Sequence, residues 1–107
     1  KQATKNGIQT LPIFFDLEQS AKIKSEKGKA KLISANNVFA HLSDFHDFTK
    51  GVKHVLANDG VFVFEVSYFV DVFEKTLFDT IYHEHTSYHT IIALQPFFLN
   101  LKILMVG

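Results

Sequence analysis

The densest chemistry in the chain lies in Asp79-Thr80-Ile81-Tyr82-His83-Glu84-His85-Thr86-Ser87-Tyr88-His89, where three His, two Tyr and one Glu fall within eight positions. Side chains of these types take a proton, return one, or stabilise an enolate oxygen. Titratable neighbours also shift one another's proton affinity, which is how sites separate an acid from a base. A polar surface loop is the plainer reading, although such loops favour Lys, Ser and Gly over this mixture. A third reading is metal ligation by His83, Glu84 and His85. Their two His are two apart, on one side of a strand but on different faces of a helix. The helical zinc pattern needs a spacing of four, so no metal ligand is assigned here.

A second group is Asn36-Asn37-Val38-Phe39-Ala40-His41, two amides and an imidazole leaving an apolar run together. The amides suit a polar ligand, and a His can move protons near neutral pH. The alternative is a polar loop with His41 capping a helix or facing water. Lys22, Lys24, Lys27, Lys29 and Lys31 form a basic cluster, read chiefly as a solvated face and only secondarily as an anion attractor. His46 and His54 lie on an amphipathic segment and read as structural or exposed. Glu65 ends a strongly apolar run and is left without an assigned partner.

The elements that must position these groups alternate between strand and helix. A brief strand is expected at residues 7–11, before Pro12. A helix follows over residues 16–27, capped by Asp16 and ended by Gly28. Residues 30–35 read as a buried parallel strand emptying into Asn36-Asn37. Residues 43–58 read as an amphipathic helix with Phe45, Phe48, Val52, Val55 and Leu56 at spacings of three and four, closed by Asn58-Asp59-Gly60. Residues 61–66 form the clearest strand. Residues 69–78 read as a helix or an irregular lid, residues 90–100 as helical but interrupted by Pro96, and residues 101–106 as a last strand. This alternation predicts an α/β fold with a mostly parallel sheet flanked by helices. Ligands bind such sheets at the carboxyl ends of the strands, after Ala35 and after Val66.

Composition narrows the function classes. The chain has 107 residues, 47% of them hydrophobic, which suffices for a core in a single domain or part of one. Eleven Lys balance eleven acidic residues, and Arg is absent. No nucleic-acid partner is expected without a basic excess or the bidentate guanidinium fork. The absence of Cys excludes disulfides and thiolate metal sites within this stretch. No apolar run has the ~18 residues of a membrane span, and no apolar leader follows the N-terminus, so a cytoplasmic protein without a membrane partner is expected.

Three runs occur in order: Asn37-Val38-Phe39-Ala40-His41, Asp59-Gly60-Val61-Phe62-Val63-Phe64-Glu65-Val66, and Phe78-Asp79-Thr80-Ile81-Tyr82-His83-Glu84-His85 with Tyr88. Together they resemble the sugar C-methyltransferase family, from about Gly7 to the end of the chain. These enzymes use S-adenosylmethionine to methylate a carbon of a nucleotide-linked keto-deoxysugar. The resemblance implies a Rossmann-like methyltransferase domain, with His85 as the base beside a ketone and Tyr82 assisting keto–enol conversion. It further places His41 near substrate or cofactor, has Glu84 orienting a neighbour or binding a sugar hydroxyl, and has Asn36, Asn37 and Val38 lining the cofactor pocket.

The departures from the family pattern carry their own expectations. The glycine-rich cofactor turn, the ribose-binding acid and the N-terminal Cys-rich zinc segment are absent. Zinc is therefore expected only in a missing N-terminal segment. The family's C-terminal sugar-binding half is also absent. Residues 1–107 are thus expected to be the C-terminal part of a class I methyltransferase domain, a single incomplete domain without its first strands. Alone, it is expected to be inactive and to bind the cofactor poorly. Open apolar strand edges then favour self-association, and an oligomerisation or interaction module is the alternative to an enzyme.

Overall fold

The computed structural model describes residues 2–99. It is an α/β fold of helices and a two-stranded parallel sheet, a small partial Rossmann-like unit. The strand expected over residues 101–106 lies outside the described residues.

Helix α1 (Gln2–Lys5) opens the chain. The strand expected at 7–11 is not formed. Gly7, at φ +77°, turns the backbone out of α1, and no strand of the described residues pairs with the residues that follow. An extended segment needs a partner for its amides, and the described residues supply none. Helix α2 (Leu17–Lys27) begins as its capping residues predict: the Asp16 carboxylate accepts the Gln19 N–H at 2.7 Å. Gly28, at φ +79°, ends it.

Strand β1 (Ala30–Asn36) and strand β2 (Leu56–Glu65) pair in parallel, joined by helix α3 (Phe45–Val55). Asp44 caps α3, accepting the Asp47 N–H at 2.9 Å. Asp47 in turn accepts the Leu17 N–H at 3.0 Å, tying the start of α2 to that of α3. The helices approach closely at Gly51, where a Cβ would stand 2.8 Å from the Asp16 carbonyl.

The expected helix end at Asn58-Asp59-Gly60 is corrected by the register. Ala30 pairs with Leu56, yet Leu32 pairs with Val61, so these turn-type residues loop out of β2 instead of closing α3. Lys29 reaches Asn58 at 3.1 Å, and Lys31 pairs with Asp59. Gly60 is needed there, because a Cβ would meet Leu56 Cδ1 at 2.8 Å and the Ala30 carbonyl at 2.9 Å.

The strands are not buried on both faces. Ile33, Ala35, Phe62 and Phe64 face the core, whereas Leu32, Val61 and Val63 on the other face are 65%, 54% and 51% exposed. No helix of the described residues covers that second face, which overturns the expectation of a fully buried strand. The core centres on Phe39, fully buried in the single 3-10 turn Phe39–His41 that follows β1. The rings of Phe45, Phe48, Phe62, Phe64 and Phe98 surround it, with centroids 4.8–6.3 Å away.

After β2 come helix α4 (Phe69–Glu74) and a 3-10 turn (Phe78–Thr80). Helix α5 (Ile91–Leu94) leads into a further 3-10 turn, Gln95–Phe98, with Pro96 in its first turn. No helix of the described residues is long and apolar enough to cross a membrane.

Candidate active site

Burial of Phe39 fixes the turn that carries His41. The polar segment of residues 80–89 is then pinned onto that turn from the other side. Thr86 donates to the Ala40 carbonyl twice, from its N–H at 2.8 Å and its hydroxyl at 2.9 Å. Ser87 Oγ donates to the Phe39 carbonyl at 3.3 Å. These tertiary bonds join segments more than forty residues apart in the chain.

The result brings His41, Tyr82 and His85 together. The imidazoles of His41 and His85 lie 5.1 Å apart between centroids, and the Tyr82 ring lies 4.1 Å from that of His85. His85 Nδ1 contacts the Thr80 carbonyl at 2.7 Å, and its Nε2 contacts the Tyr82 hydroxyl at 2.8 Å. A carbonyl only accepts, so Nδ1 of a neutral His85 carries the hydrogen. Its Nε2 is therefore bare and accepts from the phenol. His41 follows the same logic: its Nδ1 donates to the Glu84 carbonyl at 2.9 Å, which leaves its Nε2 without a hydrogen. Two imidazoles thus present acceptor nitrogens beside a phenol at the surface of the fold, an arrangement suited to moving a proton.

Glu84 enters this arrangement through its backbone. Its carboxylate is exposed and stands 4.0 Å from the exposed His83 ring, away from the bond that its carbonyl makes to His41. Asn36 and Asn37 stand at the carboxyl end of β1, beside the end of β2. The Glu65 carboxylate accepts from the Asn36 amide at 3.0 Å and lies 3.5 Å from that of Asn37. The Glu65 carbonyl accepts the Asn37 N–H at 3.0 Å, and Asn37 takes a left-handed conformation at φ 53°. Glu65, unassigned in the sequence, is therefore the partner of both amides. Val38 packs its side chain against the core and gives its carbonyl to the His41 N–H at 3.0 Å.

Several working groups were not legible as such in the sequence. The carbonyls of Thr80, Glu84, Phe39 and Ala40 orient the site, and backbone carbonyls leave no signal in residue type. His89, one of the titratable cluster, is instead buried. Its ring stacks on Phe45 at 5.2 Å and meets Ser87 Oγ at 3.0 Å. Burial lowers its pKa from 6.5, offset in part by a backbone hydrogen bond at Phe39. A cleft of about 590 Å³ opens beside it between Leu42, Phe45, Leu94 and Phe97, next to the His41–Tyr82–His85 group and not containing it. Among the described residues no cluster of three or more His, Asp or Glu is placed to hold a metal. The basic cluster is solvated, with Lys22 paired to Glu18 at 2.8 Å; that bond raises the Lys22 pKa.

No family model matches the chain. Over 96 residues, 90% of its length, the chain is 38% identical to C-methyltransferase NovU of Streptomyces niveus. It spans 23% of that relative's length. The matched stretch runs through the segments that build the site.

Proposed function

We propose that the chain forms part of an S-adenosylmethionine-dependent C-methyltransferase acting on a nucleotide-linked keto-deoxysugar. The observation that carries this reading is the His85 imidazole, held by the Thr80 carbonyl with a bare Nε2 against the Tyr82 hydroxyl, in a chain similar to a C-methyltransferase.

A carbon beside a ketone becomes a nucleophile only on losing a proton, and His85 Nε2 is the acceptor for it. The Tyr82 hydroxyl, which donates to Nε2 in the structure, turns its hydrogen to the ketone oxygen as substrate enters. That exchange frees the nitrogen lone pair and supplies a donor where negative charge develops. His41, its Nδ1 engaged by Glu84, offers Nε2 to a sugar hydroxyl or to the proton on its way to solvent. The proton taken by His85 then passes to water.

The carboxyl ends of β1 and β2 offer amides, a carboxylate and a left-handed backbone turn, a donor and acceptor set that fits a polar, cationic cofactor. Asn36 and Asn37 would hold S-adenosylmethionine with their amides, and Val38 with its backbone. When bound, the cofactor supplies an electrophilic methyl group on sulfonium. Holding the substrate carbon in line with that methyl group accounts for much of the rate.

The test is transfer of a labelled methyl group by the whole protein to the keto-sugar nucleotide. His85→Gln is expected to reduce transfer by ~10²-fold or more, and Tyr82→Phe by a smaller factor. Full activity in His85→Gln would reject the assignment.

A second reading rests, among the described residues, on the uncovered sheet face of Leu32, Val61 and Val63 and on the open strand edges. It makes the chain a self-associating module. Solution mass at micromolar concentration separates the two, since a stable monomer rejects self-association and leaves the enzymatic reading untouched.

A further inference from the structure

The Thr80 carbonyl receives two donors. His85 Nδ1 approaches it at 2.7 Å and the Tyr88 hydroxyl at 3.2 Å. A carbonyl has a lone pair for each. Thr80 closes the 3-10 turn Phe78–Thr80, and its own hydroxyl is committed to the Leu77 carbonyl at 2.8 Å. A carbonyl at the end of such a turn has no partner further along it and turns readily to water. The Tyr88 phenol opposes that motion. Its ring is itself held, 6.0 Å from Phe69 and edge-on to His85 at 6.3 Å.

We propose that Tyr88 is a positioning residue: by sharing the Thr80 carbonyl with His85, its hydroxyl keeps the hydrogen of His85 on Nδ1 and so keeps Nε2 free to accept a proton. The inference rests on the reading of His85 as the base. Losing the phenol hydroxyl lets the carbonyl swing, weakens the Nδ1 bond and admits the tautomer with Nε2 protonated, which has no lone pair to offer there.

The test is the ring-nitrogen NMR spectrum of the ¹⁵N-labelled chain at alkaline pH, in wild type and in Tyr88→Phe. Wild type is expected to show His85 with Nδ1 protonated. Tyr88→Phe retains the ring packing and is expected to move the tautomer ratio about fivefold toward Nε2–H, the scale of one neutral hydrogen bond. His41, held by Glu84, serves as the internal control and stays unchanged. An unchanged His85 ratio in Tyr88→Phe overturns the role of Tyr88 and leaves His85 as the base. Nε2–H already dominant in wild type overturns the base assignment itself. Loss of the backbone amide fingerprint beyond residues 78–89 in Tyr88→Phe would show that the hydroxyl serves the fold, and it too overturns the proposal.

Discussion

Truncating Phe39 to Ala empties the centre of the core. The side chain is fully buried, and six aromatic rings surround it: five Phe and His89. A buried Phe→Ala change costs ~3–5 kcal/mol. The near-parallel contact with Phe64 at 4.8 Å and the edge contact with Phe45 at 5.1 Å keep Phe39 off the lower end of that range, at about 4 kcal/mol. Against the ~5–15 kcal/mol that holds a domain together, that is a large share. With a urea slope of ~1.5 kcal/mol per molar, the unfolding midpoint falls by ~2.5 M, followed by far-ultraviolet circular dichroism because the chain has no Trp. Val61→Ala, on the uncovered sheet face, is the control and costs less than ~1 kcal/mol. Phe39→Leu is expected to keep the fold, lose ~1–2 kcal/mol and weaken the nuclear Overhauser contact between the His41 and His85 rings, since Phe39 anchors their shared turn. A loss below ~1 kcal/mol in Phe39→Ala would refute the placement of Phe39 at the core's centre.

His89 links stability to pH. The unfolded chain titrates it near 6.5 and the folded chain lower, so stability is fully present above 6.5 and is lost as pH falls toward the folded value; melting curves from pH 7.5 to 5.5 should show a drop that His89→Gln flattens. Thr86→Val removes one of the two bonds to the Ala40 carbonyl at a cost of ~1 kcal/mol by urea titration. Its effect should be concentrated in the His41–His85 ring contact, and an unaltered contact would contradict the pinning role. Gly60→Ala forces a Cβ to within 2.8–2.9 Å of Leu56 Cδ1 and the Ala30 carbonyl. It is expected to destabilise by ~1–3 kcal/mol, with amide shifts confined to the bulge; a neutral change would contradict that close approach.

Periodicity and capping chemistry in the sequence sufficed for α2, β1, α3 and the second half of β2. Asp16 and Gly28 bound α2 as their side-chain chemistry predicts. Elsewhere tertiary context decided. Asn58-Asp59-Gly60 carries a turn signal identical to that of a helix end, and only the pairing of Leu32 with Val61 shows it to be a loop out of a strand. Residues 7–11 have strand composition, but composition does not supply a partner. Leu32, Val61 and Val63 are as apolar as their core-facing neighbours, so residue type alone did not separate the covered face from the bare one. At the site, the proximity of Tyr82 and His85 was legible from their spacing, whereas that of His41 was implied only by the family resemblance. The tautomers were not legible, because they depend on the Thr80 and Glu84 carbonyls, which any residue would possess.

The central claim is that His85 Nε2 removes a proton from carbon. Solvent exchange tests it without methyl transfer: the keto-sugar nucleotide is incubated with the whole protein in deuterium oxide, S-adenosylmethionine omitted. Deuterium is expected to enter the carbon beside the ketone in wild type and in His83→Gln, whose exposed ring stands outside the cluster, and to be lost in His85→Gln. Undiminished exchange in His85→Gln would contradict the account.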